Sequence, residues 1–144
     1  MTIKQLSIFA ENRNGALYTV TETLAQAGID IRAFSVADTQ DFGVLRLIVS
    51  DTEKAKNALA AADMIVSITD VIAVEIPDTP GGLSSILKVI YDNNVAVEYM
   101  YAFVIPHTNS KAYVVLRVPD NNAAAAVLND AGITLIDDET VRSF

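Results

Sequence analysis

The sequence has no cysteine, no tryptophan and a single histidine, and no apolar run in it comes near the roughly 20 residues a membrane span requires. Without cysteine there is no disulfide, no thiolate metal ligand and no thiol nucleophile, a usage compatible with a reducing cytoplasm. The opening residues, Met1-Thr-Ile-Lys-Gln5, show no basic cluster followed by an apolar stretch, so no secretory signal is expected. Basic residues are also scarce. Ten Lys and Arg stand against 18 Asp and Glu, for a formal net charge of −8. Residues 1–69 carry six basic against eight acidic side chains, and residues 70–144 carry four against ten. An acidic second half repels phosphate backbones, which argues against a nucleic-acid partner. The expectation is a soluble cytoplasmic protein that binds neither nucleic acid nor membrane.

Apolar residues make up 51% of the 144 positions and charged residues 19%, the composition of a well-packed globule. The length suits one ordinary domain or two very small ones, and an internal repeat decides between them. At an offset of 66, Leu6, Ile8 and Ala10 fall on Ile72, Val74 and Ile76, an alternating strand in each case. Gly15 and Leu17 fall on Gly81 and Leu83, and Val20 and Leu24 on Ile86 and Ile90, which continues an apolar helical stripe. Ile29 and Ile31 meet Val95 and Val97. The offset then becomes 69, and Leu47, Val49, Asp51, Ala55, Leu59 and Ala62 match Leu116, Val118, Asp120, Ala124, Leu128 and Ala131. Few of these matches are identities. The order of periods carries the repeat.

The first copy reads as strand 3–10, helix 15–27, strands 29–38 and 43–50, helix 52–62 and strand 64–68. The second reads as strand 70–76, helix 81–93, strands 95–105 and 111–118, helix 120–131 and strand 133–136. Ala27-Gly28 and Asn93-Asn94 close the first helices with residues that tolerate a left-handed C-cap. Asp38–Asp41 and Pro106–Ser110 are expected as hairpin turns, and Asp51 and Asp120 as helix N-caps. The fold class is therefore α+β: two tandem ferredoxin-like βαββαβ units, residues 1–69 and 70–144, each an antiparallel sheet with both helices on one face. Only Thr69 and Asp70 separate the copies, too little for a flexible tether.

The turns from first strand to first helix carry the functional signal. They read Glu11-Asn-Arg-Asn-Gly-Ala-Leu17 and Pro77-Asp-Thr-Pro-Gly-Gly-Leu83. Each sets a short polar side chain, Asn12 or Asp78, three residues before a glycine that opens a helix. Free backbone N–H groups at the positive end of a helix dipole make a natural seat for a carboxylate. A side chain in place of the glycine would hold the ligand off the backbone. Ordinary helix capping uses the same residue types, so either turn alone reads as capping; its recurrence favours the ligand seat.

A βαββαβ unit with Asp-Thr-Pro-Gly-Gly-Leu at its first helix resembles an ACT domain, the regulatory module of amino-acid metabolism. The likeness covers nearly the whole chain as two tandem domains, and is looser in the first copy, where Asn14 replaces the proline. The resemblance implies two units paired side by side into an eight-stranded sheet, with an amino acid or similar small carboxylate bound at the seam. Carried onto this sequence, one site is Asn12, Arg13, Asn14, Gly15, Ala16 and Leu17, facing Val95, Ala96 and Val97. The reciprocal site is Asp78, Thr79, Pro80, Gly81, Gly82 and Leu83, facing Ile29, Asp30 and Ile31. The second keeps the family pattern better. The resemblance implies a non-catalytic, allosteric regulator; the alternative is an assembly subunit that works through protein contacts with no ligand.

Other features have plainer readings. Tyr99, Tyr101 and Phe103 alternate along one strand with Met100, Ala102 and Val104 opposite, an arrangement covered on both faces. One cover would be the helices and the other a partner's sheet, which points to a homodimer. His107 reads as a solvated loop residue rather than a metal ligand, and Asp137-Asp-Glu139 as solvated surface. Arg46 and Arg117, each set in an apolar strand, are expected on the open sheet face or at an interface. No nucleophile has a base partner, and no phosphate loop or metal-ligand spacing appears. No enzyme activity, metal or cofactor is expected, and the protein partner would be a regulated enzyme.

Overall fold

Alternation of apolar and polar side chains over 3–11 and 42–49 builds the strands β1 (Ile3–Glu11) and β3 (Phe42–Val49), which pair antiparallel with Leu6 opposite Leu47 and Ile8 opposite Leu45. The computed structural model describes residues 1–11, 13–38, 42–106 and 109–144. The chain divides into a first unit, Lys4–Thr69, and a second unit, Asp70–Phe144 together with Met1–Ile3. In the first unit, α1 (Ala16–Gln26), β2 (Ile31–Asp38) and α2 (Thr52–Ala61) complete the pattern with the opening part of β4 (Ile65–Pro77), in strand order β2-β3-β1-β4. In the second, the remainder of β4 is followed by α3 (Gly82–Asp92), β5 (Tyr99–Ala102), β6 (Lys111–Arg117), α4 (Asn121–Asp130), β7 (Leu135–Ile136) and α5 (Asp138–Ser143), in order β7-β4-β6-β5. The α+β reading with repeated βαββαβ units holds.

Each unit buries one sheet face under its two helices. In the first, Leu6, Ile8, Leu45, Leu47 and Val49 meet Val20 and Leu24 of α1 and Ala55 and Leu59 of α2. In the second, Ile72, Val74, Ile76, Val114 and Leu116 meet Ile86 and Ile90 of α3 and Ala124 and Leu128 of α4. The helical residues sit four apart, the spacing that lines one side of a helix. The Asp51 and Asp120 carboxylates accept from the Lys54 and Ala123 backbone N–H, each at 3.0 Å, as expected of N-caps.

All four of these helices stop by one device. Gly28, Asp63, Asn94 and Gly132 adopt positive φ, and the next residue donates its N–H back to the carbonyl of Leu24, Leu59, Ile90 and Leu128 respectively. This is the six-to-one bond of a Schellman motif. The donors Ile29, Met64, Val95 and Ile133 pack against the same cores as the leucines and isoleucine they bond to.

The strands expected from 29 and 133 begin at Ile31 and Leu135, and the structure departs further from expectation in three places. Strands expected over 64–68 and 70–76 are one strand, β4, running unbroken through Thr69 and Asp70. The Asp70 carbonyl accepts from Arg117 Nη1 and Asn121 Nδ2, both at 3.1 Å. The strand expected over 95–105 shrinks to β5, because Val95 and Val97 turn into the core and leave Tyr99 as the first residue paired with β6. The Asp137–Glu139 stretch, expected to be solvated surface, opens the unforeseen helix α5, with the Asp137 carboxylate accepting from the Thr140 N–H at 2.8 Å. The expected hairpin turns fall partly outside the described residues, at 39–41 and 107–108, and so does His107.

Candidate functional site

The two first-helix turns have nearly the same backbone. Gly15 and Gly81 are the N-caps of α1 and α3, at φ 86° and 87° with ψ near zero. An added Cβ at either would meet nothing within 4 Å. Glycine stands there for its left-handed backbone, which L side chains rarely adopt. The Ala16 N–H donates to Arg13 O at 3.3 Å and the Gly82 N–H to Thr79 O at 3.0 Å. The Thr19 N–H then takes Gly15 O, and the Ser85 N–H takes Gly81 O. That leaves the N–H groups of Leu17 and Tyr18, and of Leu83 and Ser84, with no acceptor among the described residues. A helix entered through a left-handed glycine has no capping side chain, so its positive end stays open.

Around these groups the predicted residues are accessible. Arg13, Asn14, Thr79, Pro80 and Asp78 are exposed, and Leu17 and Leu83 are 47% and 38% exposed despite being apolar. The Asp78 backbone N–H donates to Ser110 O at 2.8 Å, which ties the second turn to the segment before β6. Gly82 is buried, and a Cβ on it would stand 2.1 Å from Pro77 O. The second glycine of the pair therefore lets α3 start hard against the end of β4, where the first unit has Ala16. Asn12 lies outside the described residues.

The residues expected opposite these turns are less available. Ile29 is buried and Ile31, Val95 and Val97 pack partly into their own cores, so only Asp30 and Ala96 among the six are exposed. Asp30 holds Arg32 Nη1 at 2.6 Å, and its N–H donates to Ser50 Oγ at 2.9 Å. Neither Ile29-Asp30 nor Val95–Val97 is in a strand. The Ile29, Asp30 and Val95 N–H groups and the Asp30 carbonyl are bonded within their own unit, which leaves the Asp30 and Ala96 side chains as the exposed part of these segments.

Beside each turn lies a concavity that sequence reasoning missed. In the second unit, a cavity of about 520 Å³ opens between the end of β4, α3 and the turn from α4 to β7, with Ile76, Ile86, Val89 and Ile133 in its wall. In the first unit, a cavity of about 390 Å³ occupies the repeat-equivalent place, walled by Ala10, Val20 and Met64 and reaching Arg13 and Ala16 of the turn. A smaller one, about 170 Å³, lies on the β2 side of that turn, between Arg13, Leu17 and Val36. On the sheet face away from its helices, the second unit carries the ion pair Lys111–Glu75 at 2.8 Å, with Glu75 only 23% exposed. The hydrogen bond to Glu75 holds the Lys111 ammonium above its ordinary pKa of 10.5.

Elsewhere the aromatic strand is resolved into two roles. Tyr99 and Tyr101 stack with ring centroids 6.5 Å apart, and Met100 joins the core on the other face. Phe103 packs edge-on to Tyr113 and Phe144. Arg117 pairs with Glu98 at 3.3 Å. Among the described residues no group of three or more His, Asp or Glu is arranged to hold a metal ion, and no helix is long and apolar enough to cross a membrane.

Comparison with known proteins agrees with this architecture. A family model described as an ACT domain pair matches residues 1–144. The crystal structure of a protein from Bacteroides thetaiotaomicron is similar at TM-score 0.91 and 39% identity, covering 100% of this chain and 98% of that one. The regulatory subunit of aspartate kinase from Thermus thermophilus, in its ligand-free form, is similar at TM-score 0.63 and 15% identity, covering 89% and 91%. The corresponding subunit from Thermus flavus gives TM-score 0.58 and 15% identity over 90% and 92%. At such identities the kinase subunits speak for the fold alone. No curated protein matches the chain.

Proposed function

We propose, from the premise that this chain belongs to the ACT domain pair family, that it is a non-catalytic regulatory protein that binds a free amino acid or similar small carboxylate. The observation that carries this reading is the pair of uncapped helix starts behind Gly15 and Gly81. The ligand carboxylate takes the open N–H groups, Leu83 and Ser84 in the second unit or Leu17 and Tyr18 in the first. Asp78, and Asn12 in the other copy, receive the ligand ammonium. A neighbouring ACT unit closes the seat with the segments Ile29–Ile31 or Val95–Val97. A ligand that spans such a seam favours the paired arrangement, and pairing is the signal passed to a regulated enzyme. We place the protein in the cytoplasm as a homodimer.

A second reading is favoured by the first unit's surface. Phe9, Leu17, Tyr18, Phe34, Val36, Phe42 and Ile65 are large apolar side chains left between 47% and 70% exposed. Phe9, Phe42 and Ile65 border one concavity and Leu17 and Val36 another; contiguous apolar surface marks protein contact sites, and it supports an assembly subunit that needs no ligand. The two readings part in one experiment, thermal unfolding of the full chain against a panel of amino acids and related carboxylates. A ligand at about 100 times its dissociation constant stabilises the fold by about 2.7 kcal/mol. The expected result is one clear rise in Tm, lost in Gly81→Val while the circular dichroism spectrum persists. Silence across the panel, with a dimer in sedimentation, would favour the assembly subunit.

A further inference from the structure

Asparagine stands directly before glycine at one place in the chain, Asn14-Gly15, and no aspartate does so anywhere. That pairing carries its own chemistry. The backbone nitrogen after an asparagine attacks the side-chain amide carbon, and any side chain on the following residue hinders the approach. Glycine has none. Asn14 and Gly15 are both exposed, and a Cβ built on Gly15 would meet nothing within 4 Å, so the approach is open. The Gly15 N–H has no acceptor among the described residues, so no hydrogen bond has to break before it reacts.

Other asparagines lack these conditions. The N–H after Asn93 donates to Tyr91 O and the N–H after Asn94 to Ile90 O, each at 3.1 Å. The N–H after Asn122 is held by the Asp120 carboxylate at 3.0 Å. The side-chain amides of Asn93 and Asn121 are themselves fixed, on Val89 O at 2.9 Å and Asp70 O at 3.1 Å. Asn57 and Asn129 lie within α2 and α4, where the helix holds the backbone nitrogens. The second unit has Pro80 in the slot of Asn14, which removes the reaction from its turn.

We propose that Asn14-Gly15 is a site of spontaneous deamidation, which turns the first-helix turn of the first unit anionic as the protein ages. Gly15 N forms a bond to Asn14 Cγ and gives up its proton to water, and Asn14 Nδ2 leaves as ammonia. Water then opens the cyclic imide. Cleavage between the nitrogen and Cγ leaves an aspartate; cleavage at the main-chain carbonyl leaves an isoaspartate, whose backbone runs through the side chain. Water is the only co-reactant, and nothing is oxidised or reduced. Either product puts a carboxylate beside the start of α1, which has no acidic residue in its first turn and no capping side chain. The helix dipole favours a negative charge there, and that charge repels an incoming carboxylate. The consequence for ligand binding rests on the seat proposed above; the modification does not. Ageing leaves only the second turn open to an anion.

The test follows the full chain, freshly purified, through days of incubation in mildly alkaline buffer. In peptide mass spectrometry the tryptic peptide 14–32 should gain the mass of amide-to-acid exchange at least tenfold faster than any other asparagine peptide. Isoaspartyl methyltransferase should label the same peptide, and Asn14→Gln should abolish both signals. In amide resonance spectra Leu17 and Tyr18 should move in aged wild type and in Asn14→Asp, while Leu83 and Ser84 stay in place. Acetate, added to fresh protein as a probe, should move all four amides, and in Asn14→Asp only those of Leu83 and Ser84. A peptide 14–32 that converts no faster than the others would overturn the proposal. So would conversion that leaves the Leu17 and Tyr18 amides unmoved. Acetate that moves neither pair in fresh protein would sink the ligand seat alone, with the mass gain and the ageing shifts still deciding the modification.

Discussion

Two adjacent glycines in the second unit are required for different reasons, and substitution separates them. At Gly82 the obstacle is space, a carbonyl oxygen 2.1 Å from where a Cβ would stand; at Gly81 it is the left-handed backbone, with open space around it. Gly82→Ala must push α3 away from β4 and should cost about 1–3 kcal/mol. Gly81→Ala keeps its surroundings and should cost about 1–2 kcal/mol through backbone strain. Urea denaturation gives the magnitudes. Only Gly82→Ala should also shift the amide resonances of Pro77's neighbours, and a silent spectrum there would refute the steric account. Asp137 makes a pH-dependent contribution. Hydrogen bonds from Thr140 hold its carboxyl below the ordinary 3.8. A depressed folded pKa gives stability that is present above the unfolded value and lost as pH falls through the folded one. Wild type and Asp137→Ala should therefore differ in denaturation midpoint at neutral pH, and the gap should start to narrow as pH falls to about 3.8 and go on narrowing in stronger acid; a gap that stays constant across that range would contradict the linkage.

Helix α5 is the element with no counterpart in the first unit. Its Val141 is buried, and the Phe144 ring sits 4.9 Å from Tyr113 and 5.8 Å from Phe103. Phe144→Ala removes most of an aromatic contact surface and should cost about 1–3 kcal/mol, with a loss of near-ultraviolet tyrosine dichroism from Tyr113. An unchanged tyrosine signal would mean the ring does not hold the helix down. Sequence periodicity could not announce this helix, because six residues beginning Asp-Glu-Thr give no apolar stripe to read. The same limit explains β4. Thr69-Asp70 reads as a polar break, yet the Asp70 carbonyl is satisfied by side chains 47 and 51 residues downstream. The four larger helices, the caps at Asp51 and Asp120 and the glycine turns were legible because each depends on neighbours within a few positions. The cavities were not, since their walls come from a strand end, a helix middle and a turn far apart in the chain.

The whole molecule carries eight more negative than positive charges, and same-sign repulsion works against compactness. Raising monovalent salt from 0.01 to 0.15 M shortens the screening length from about 30 to about 8 Å, so Tm should rise. A fall would mean that attractive pairs such as Lys111–Glu75 outweigh the net repulsion.

The duplication itself has a consequence for how such a protein can change. In a dimer of identical single-domain chains, every substitution strikes both seats at once, and symmetry is enforced by the gene. Two copies within one chain accumulate substitutions separately while remaining in fixed one-to-one proportion. That independence is what allows two neighbouring strand positions to hold phenylalanines, Phe9 and Phe42, in the first unit and an acid and a base, Glu75 and Lys111, in the second. One unit can then exchange a greasy surface for a charged one while its sibling keeps the apolar side chains for holding on to something else.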